Sequence, residues 1–324
     1  MEVKFITALL LFSFYSCSLL LPPGFNGISS SSSSSPPGPS YYLGPTNAVS
    51  ANIGALIYVP AGTFQYDSTA ADICNIPVYL HFSEFDITGV QFQAVTGIAD
   101  PSSFSEASHP ADQVSWYQAL VFCNDLSIKE GLTPVYSING STSPSFWGAI
   151  PSADNSAWDA AAANWSANGY RLPTEMEWMW AAMGASSDGI SGDITGGVNT
   201  LGYAKGYAGS VEAGGAQVNI GSYAWYAANS GSTTHAAGAA NANELGLFDM
   251  SGNLFQWCWD WYASTYTGGG ITDPDYTASL SPGSYRVNRG GCWYESAAYA
   301  AVACRYYYYP YIQYYFYGFR VVRR

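Results

Sequence analysis

Residues 294 to 317 read Y-E-S-A-A-Y-A-A-V-A-C-R-Y-Y-Y-Y-P-Y-I-Q-Y-Y-F-Y and hold ten of the chain's 27 tyrosines. No other segment limits the possible folds so strongly. Successive side chains of an extended chain point to opposite faces, so Tyr306 to Tyr309 place phenols on both sides of any pleat. Burying them would demand a dry partner on each face and a partner for each hydroxyl, and an unpaired buried hydroxyl costs about 1–3 kcal/mol. A solvent-facing aromatic surface is therefore the less costly expectation. Tyrosine suits a binding surface, because it offers a large rigid contact with two torsions to freeze. Ten such rings presenting on the order of 100 Å² each would form a patch of roughly 1,000 Å², more than a monomer normally exposes and enough for one side of a protein interface. A tyrosine-rich core segment and an aggregation-prone edge are the alternatives.

Charged residues make up 10% of the 324-residue chain, yet the formal net charge is −13. An acidic surface of this kind excludes nucleic acid as a partner. The local exception is a C-terminal set, Arg286, Arg289, Arg305, Arg320, Arg323 and Arg324, which supplies six of the ten basic residues and surrounds the single acid Glu295. Such arginines could attract an acidic ligand, but more commonly they support loop carbonyls. The six cysteines, Cys17, Cys74, Cys123, Cys258, Cys292 and Cys304, show neither C-x-x-C spacing nor pairing with His81, His109 or His235, so no zinc motif is present. If Cys17 is consumed by processing, the other five cannot all pair and at least one is free.

Residues 1–16 combine Lys4 with an apolar run from Phe5 to Phe14, the length of a signal-peptide core rather than a membrane span. Ser16-Cys17 at its end resembles a bacterial lipoprotein processing site. That would make Cys17 the lipid attachment point and place the protein on the outer membrane, surface-exposed and lipid-anchored. An uncleaved anchor extending to Leu21 is the alternative. Residues 17–49 contain seven consecutive serines, Ser29 to Ser35, followed by Pro36-Pro37-Gly38-Pro39, and this tract is expected to be a solvated spacer.

Globular character begins near residue 50, with a strand-like run from Ala55 to Val59 and a turn at Pro60 to Phe64 leading into the next. Ser115 precedes apolar residues at helical spacing from Trp116 to Leu126. Thr174 with Glu177 three residues on forms a capping-box signature for a second helix. Short strands and long Gly/Asn/Ser loops elsewhere point to an irregular α+β domain with few helices.

Six segments carry a family resemblance: I-Y-V-P-A-G-T-F (Ile57–Phe64), H-P-A-D-Q-V-S-W-Y-Q-A (His109–Ala119), G-Y-R-L-P-T-E-M-E-W (Gly169–Trp178), N-E-L-G-L-F-D-M-S-G-N-L-F-Q-W-C-W-D-W-Y (Asn243–Tyr262), R-G-G-C-W (Arg289–Trp293) and G-F-R-V-V-R (Gly318–Arg323). In this order they resemble the formylglycine-generating-enzyme (sulfatase-modifying factor) domain, a variant of the C-type lectin fold, over residues 50–324. The resemblance implies Trp257, Trp259 and Trp293 as core. Catalytic members carry a cysteine pair after an R-G-G-S-[WY] motif, which binds copper and oxidises a substrate cysteine. Counted without gaps from Arg289, those positions are Glu295 and Ala300, and neither can bind copper(I) or exchange a thiol. Cys292 and Cys304, twelve residues apart, do not reproduce the spacing. Gln256 stands where calcium-binding members carry a carboxylate, and a neutral amide is the weaker ligand. No catalytic residue, metal site or cofactor is expected. A cysteine-dependent oxidase is the alternative.

From Arg305 to Gly318 the family spacing is kept while polar residues are replaced by aromatics. This pattern resembles the variable proteins of diversity-generating retroelements, among them surface lipoproteins of treponemes, in which template adenines are mutagenised within a lectin-type fold. Randomising the first two bases of an AAY codon reaches Tyr, Phe, Ile, Cys, Ser and Ala but never Trp, Gln or Glu. Within a variable region spanning 292–317, the expected ligand-binding residues are Cys292, Tyr294, Ser296, Tyr299, Cys304, Tyr306, Tyr307, Tyr308, Tyr309, Tyr311, Ile312, Tyr314, Tyr315, Phe316 and Tyr317. Trp293, Glu295 and Gln313 would be framework. The partner expected is a protein or glycan on a host or neighbouring cell. A structural adhesin with invariant tyrosines is the third possibility.

Overall fold

Ser115 and Thr174 each start a helix, and each does so through a reciprocal capping box with Gln118 and Glu177 respectively. Thr88 and Gln91 form a third capping box. The structure is a computed structural model and describes residues 47–275, 277 and 282–324. The expected signal peptide, Cys17 and nearly all of the spacer lie outside those residues. Regular structure begins slightly earlier than residue 50, with β1 (Ala48–Ser50), followed by β2 (Gly54–Val59), β3 (Gly62–Gln65), β4 (Ile73–Ile76) and β5 (Leu80–Ser83). Next come α1 (Gly89–Thr96), α2 (Trp116–Lys129), β6 (Tyr136–Ser137), the one-turn α3 (Ser156–Asp159), β7 (Ala162–Ala163), α4 (Glu175–Ala182), β8 (Ile194–Thr195) and β9 (Val198–Asn199). After a long looped region the chain supplies β10 (Phe255–Trp261), β11 (Ile271–Thr272), β12 (Arg286–Arg289), β13 (Tyr306–Tyr308), β14 (Tyr317–Gly318) and β15 (Val322–Arg323).

These strands form sheets ordered β1-β2-β5-β15, β13-β12-β10-β14 and β11-β4-β3-β9-β8, with a small β6-β7 ribbon. The last strand returns to the first sheet, where Val322 lies opposite Phe82 and Arg323 opposite His81. The sheet β13-β12-β10-β14 carries the aromatic segment, and β10, with sequence FQWCWDW, is buried along its whole length. Alternation along β10 divides the interior in two. Phe255, Trp257 and Trp259 join the core around α2, whereas Cys258 joins the core around α4. Cys74, Cys123, Cys258 and Cys292 are free and buried, and Cys304 is buried as well.

Candidate binding surface

The chain leaves β12 through the two glycines of R-G-G-C-W, both left-handed, with φ of +96° at Gly290 and +76° at Gly291. A Cβ on Gly291 would lie 2.9 Å from the carbonyl of Tyr299, so only glycine lets the following segment fold back this closely. The chain then arches through residues 292–305 and returns as β13, antiparallel to β12, with Tyr306, Tyr307 and Tyr308 opposite Asn288, Val287 and Arg286. β14 closes the other side of the sheet, parallel to β10, with Phe255 opposite Tyr317 and Gln256 opposite Gly318.

The pleat distributes the rings as the alternation requires. On one face Tyr306 stacks on Phe255 at 4.9 Å, and Tyr308 meets Tyr314 at 5.6 Å and Tyr317 at 5.7 Å. Phe316 continues this layer to Tyr294 at 5.6 Å. On the other face Tyr307 stacks on Tyr262 at 4.0 Å and touches Tyr285 at 4.9 Å. Tyr309 leans on Tyr285 at 4.6 Å, with their hydroxyls 3.2 Å apart. Both faces of the tyrosine strand therefore carry further rings, and β13 is an aromatic edge strand rather than a single exposed stripe.

The expectation of a fully solvent-facing surface is corrected accordingly. Tyr294, Ser296 and Tyr315 are exposed, with Tyr294 at 58% and Tyr315 at 42%. Tyr299, Tyr306, Tyr307, Tyr308, Tyr309, Tyr311, Ile312, Tyr314 and Phe316 are half-buried, so the accessible patch is smaller than ten free rings would give. Cys292, Cys304 and Tyr317 are buried and do not reach the surface. Tyr317 is drawn in because β14 pairs with the interior strand β10, which lays its ring against Trp257 at 5.2 Å and Phe255 at 5.9 Å. Half-burial suits a phenol, since the ring can be covered by its neighbours while the hydroxyl stays near water.

Between the rings lies a cavity of about 30 Å³, walled by Phe255, Tyr294, Glu295, Tyr306, Tyr308 and Tyr314 among others. A volume of that size holds about a water or two and no metabolite. Burial, then the neighbouring Tyr314, raises the Tyr308 phenol to about 12, and burial pushes the Glu295 carboxyl up. The Tyr308 phenol is therefore a neutral hydrogen-bonding group at physiological pH.

Beneath the rings, framework side chains fix the arch through directional bonds. Trp293 Nε1 donates to the Tyr315 carbonyl at 2.9 Å, and Gln313 Nε2 donates to Gln118 Oε1, part of the α2 cap, at 2.8 Å. Arg289 donates to the carbonyls of Val302 and Cys304, while Gln217 and Ser251 hold those of Ala297 and Ala300. Glu175, the first residue of α4, receives both Nε and Nη2 of Arg305 at 2.6 and 2.7 Å and lies 3.1 Å from Arg289 Nε. Burial pushes its carboxyl up, but the two guanidinium groups outweigh that and hold it below the usual range. Arg286 is buried on carbonyls, and Arg289 and Arg320 on carbonyls and carboxylates, so these three arginines support loops rather than form a charged surface. Trp257, Trp259 and Trp293 are buried, as expected. Phe104, Tyr262 and Tyr285 flank the aromatic surface and the buried Phe255 backs it, and none of the four is among the residues expected from the sequence. Phe255 and Tyr262 lie inside a recognised motif, which offered a signal. Phe104, edge-on to Trp293 at 5.5 Å, lies in a loop with none.

The sulfatase-modifying factor enzyme 1-like domain matches residues 44–324. The chain belongs to that family. Its fold is the C-type lectin-like fold of the family, with mixed sheets and few helices. Among solved structures it is similar to Treponema denticola variable protein 1, at 32% identity and a TM-score of 0.70, covering 86% of this chain and 98% of that one. PvdO from Pseudomonas aeruginosa shares the fold at 17% identity and a TM-score of 0.56, covering 86% and 98% of the two chains. Among curated proteins it is similar to the chaperone protein LppX of Paenibacillus barcinonensis, 32% identical over 266 residues, which are 76% of this chain and 81% of LppX.

At the positions that resemblance assigns to the family's thiol pair, Ala300 is buried and Glu295 half-buried. The thiols of Cys292 and Cys304 are buried in the framework, and burial pushes the Cys292 thiol up, which leaves it without thiolate character. Gln256 is committed to protein groups: its Oε1 accepts from Trp178 Nε1 at 2.7 Å and Arg320 Nε at 2.8 Å, and its Nε2 donates to the Asp249 carbonyl at 2.6 Å.

Proposed function

We propose that this protein is a surface-displayed, non-catalytic binding lipoprotein of the variable-protein kind, whose aromatic arch engages a protein or glycan on a host or neighbouring cell. The observation that carries the reading is the division of labour in residues 292–317. Residues within reach of an adenine-templated codon supply the half-exposed rings, while outside that reach Trp293 bonds the Tyr315 backbone carbonyl and Gln313 bonds the Gln118 side chain of the α2 cap. The likeness to Treponema denticola variable protein 1 supports it. So does the cleft between the rings, too small for a metabolite, which favours a broad partner whose contact is concentrated on a few aromatic anchors. Display follows from lipidation at Cys17, for which more than one acyl chain is needed, because a single chain anchors marginally.

The test is capture from surface extracts of host or neighbouring cells by the protein and by a variant with Tyr294, Tyr311, Tyr314 and Tyr315 all replaced by Ser. The reading requires partners recovered only by the tyrosine form at matched thermal stability. Identical recovery by both forms, or self-association alone, refutes it. Metabolic lipid labelling of wild type and Cys17→Ser tests the anchor independently, with the label expected in wild type only.

A further inference from the structure

A second cavity, of about 250 Å³, lies apart from the arch and shares no wall residue with the small cleft between the tyrosines. Trp165, Trp259 and Trp261 line it together with Ala161, Ala163, Thr277 and Arg286. Its size is close to the lower end of small-molecule sites, about 300 Å³.

Arg286 differs from the other buried cations among the described residues. Arg171, Lys205, Arg289, Arg305 and Arg320 each have a carboxylate within 3.5 Å. Arg286 is 1% exposed and has none among the described residues, where it donates to the carbonyls of Trp259 at 2.6 Å and Asp159 at 3.2 Å. A guanidinium carries five N–H donors, so these two bonds leave three over, and Nε has no partner at all among the described residues. The nearby carboxylates are committed elsewhere: Asp159 accepts from the Tyr117 hydroxyl, and Asp260 from Thr277 and the Glu175 backbone. Trp116 at 3.7 Å and Trp261 at 3.5 Å clamp the guanidinium plane between two indoles, which fixes the fork in one orientation. Burial pulls its pKa down to about 9, outweighing the opposing pull of the Asp159 and Asp260 charges.

A buried cation with no carboxylate in contact is costly, and the fixed planar fork matches a carboxylate in shape as well as charge. We propose that this cavity is a binding site for a small carboxylate with a flat apolar body, the carboxylate meeting Arg286 and the body lying among the three tryptophans. It is a different site from the arch and does not depend on the arch's function.

Sodium benzoate supplies both features, benzamide the ring without the charge, and inorganic phosphate the charge without the ring. Saturation-transfer NMR on the whole protein should give benzoate an affinity at least ten-fold above that of either control. Ala163→Phe, which fills the cavity from its wall and keeps Arg286, should weaken benzoate at least ten-fold at an unchanged thermal midpoint. Equal binding of benzoate and benzamide would overturn the role of Arg286, and equal binding of phosphate would overturn the flat body. The wild-type comparison decides these points even if the variant fails to fold. No transfer from benzoate, or undiminished binding in a folded Ala163→Phe protein, would overturn the site itself.

Discussion

β12 and β13 lie side by side in one sheet, yet they are held by different physics. In β12, Arg286, Asn288 and Arg289 are buried, and the two arginines donate to named carbonyls. Each of those bonds depends on an angle as well as a distance, so few replacements preserve it. In β13, Tyr306, Tyr307 and Tyr308 are half-buried against other rings at centroid separations of 4.0 to 5.7 Å. Ring contacts are largely non-directional and lose strength gradually as a side chain shrinks or changes shape. A fold that places its directional bonds in one strand and its non-directional contacts in the next can alter the second without dismantling the first.

The sharpest way to break that division is at Glu175, which serves both regions by pairing with Arg289 and Arg305. Glu175→Ala should strand the buried Arg289 and the half-buried Arg305 and cost about 3–5 kcal/mol in chemical denaturation, the largest loss of any change considered. A loss below 1 kcal/mol would show that the framework does not rely on directional pairing. Tyr306→Ala removes a half-buried ring stacked on Phe255 and should cost about 2 kcal/mol, roughly half the value for a fully packed aromatic. This is more than the exposed ring expected from sequence would lose, and equilibrium unfolding distinguishes the two. Tyr294→Ala and Tyr315→Ala, at the exposed end, should each stay within about 0.5 kcal/mol while weakening partner capture.

Much of this arrangement is legible in the chain itself. Ser115 and Thr174 announce their helices because a capping box is a local hydrogen-bond pattern. The R-G-G-C-W and F-Q-W-C-W-D-W segments are legible through their family resemblance, which implies Trp257, Trp259 and Trp293 as core. Tyrosine burial was harder to foresee, because it depends on which distant rings arrive. Tyr262, Tyr285 and Phe255 cover the strand from other elements, and no local spacing encodes that meeting. Codon reach set Trp293 and Gln313 apart as framework, and both bond other parts of the fold through their side chains, but it also admitted Cys292, Cys304 and Tyr317, which are buried. Codon accessibility describes what a template can write, whereas burial is set by strand pairing. The isolated charge of Arg286 had no sequence signature, since its distinction is the carboxylate it lacks in three dimensions.

Two displayed libraries test the division most directly. One randomises Tyr294, Tyr299, Tyr306, Tyr308, Tyr311 and Tyr314 with NNY codons. The other randomises Glu175, Gln256, Arg286, Asn288, Arg289 and Arg320 to the same depth. Sorting both for protease resistance should recover a large folded fraction from the first and almost none from the second. Equal folded fractions would contradict a directional framework carrying a replaceable aromatic surface.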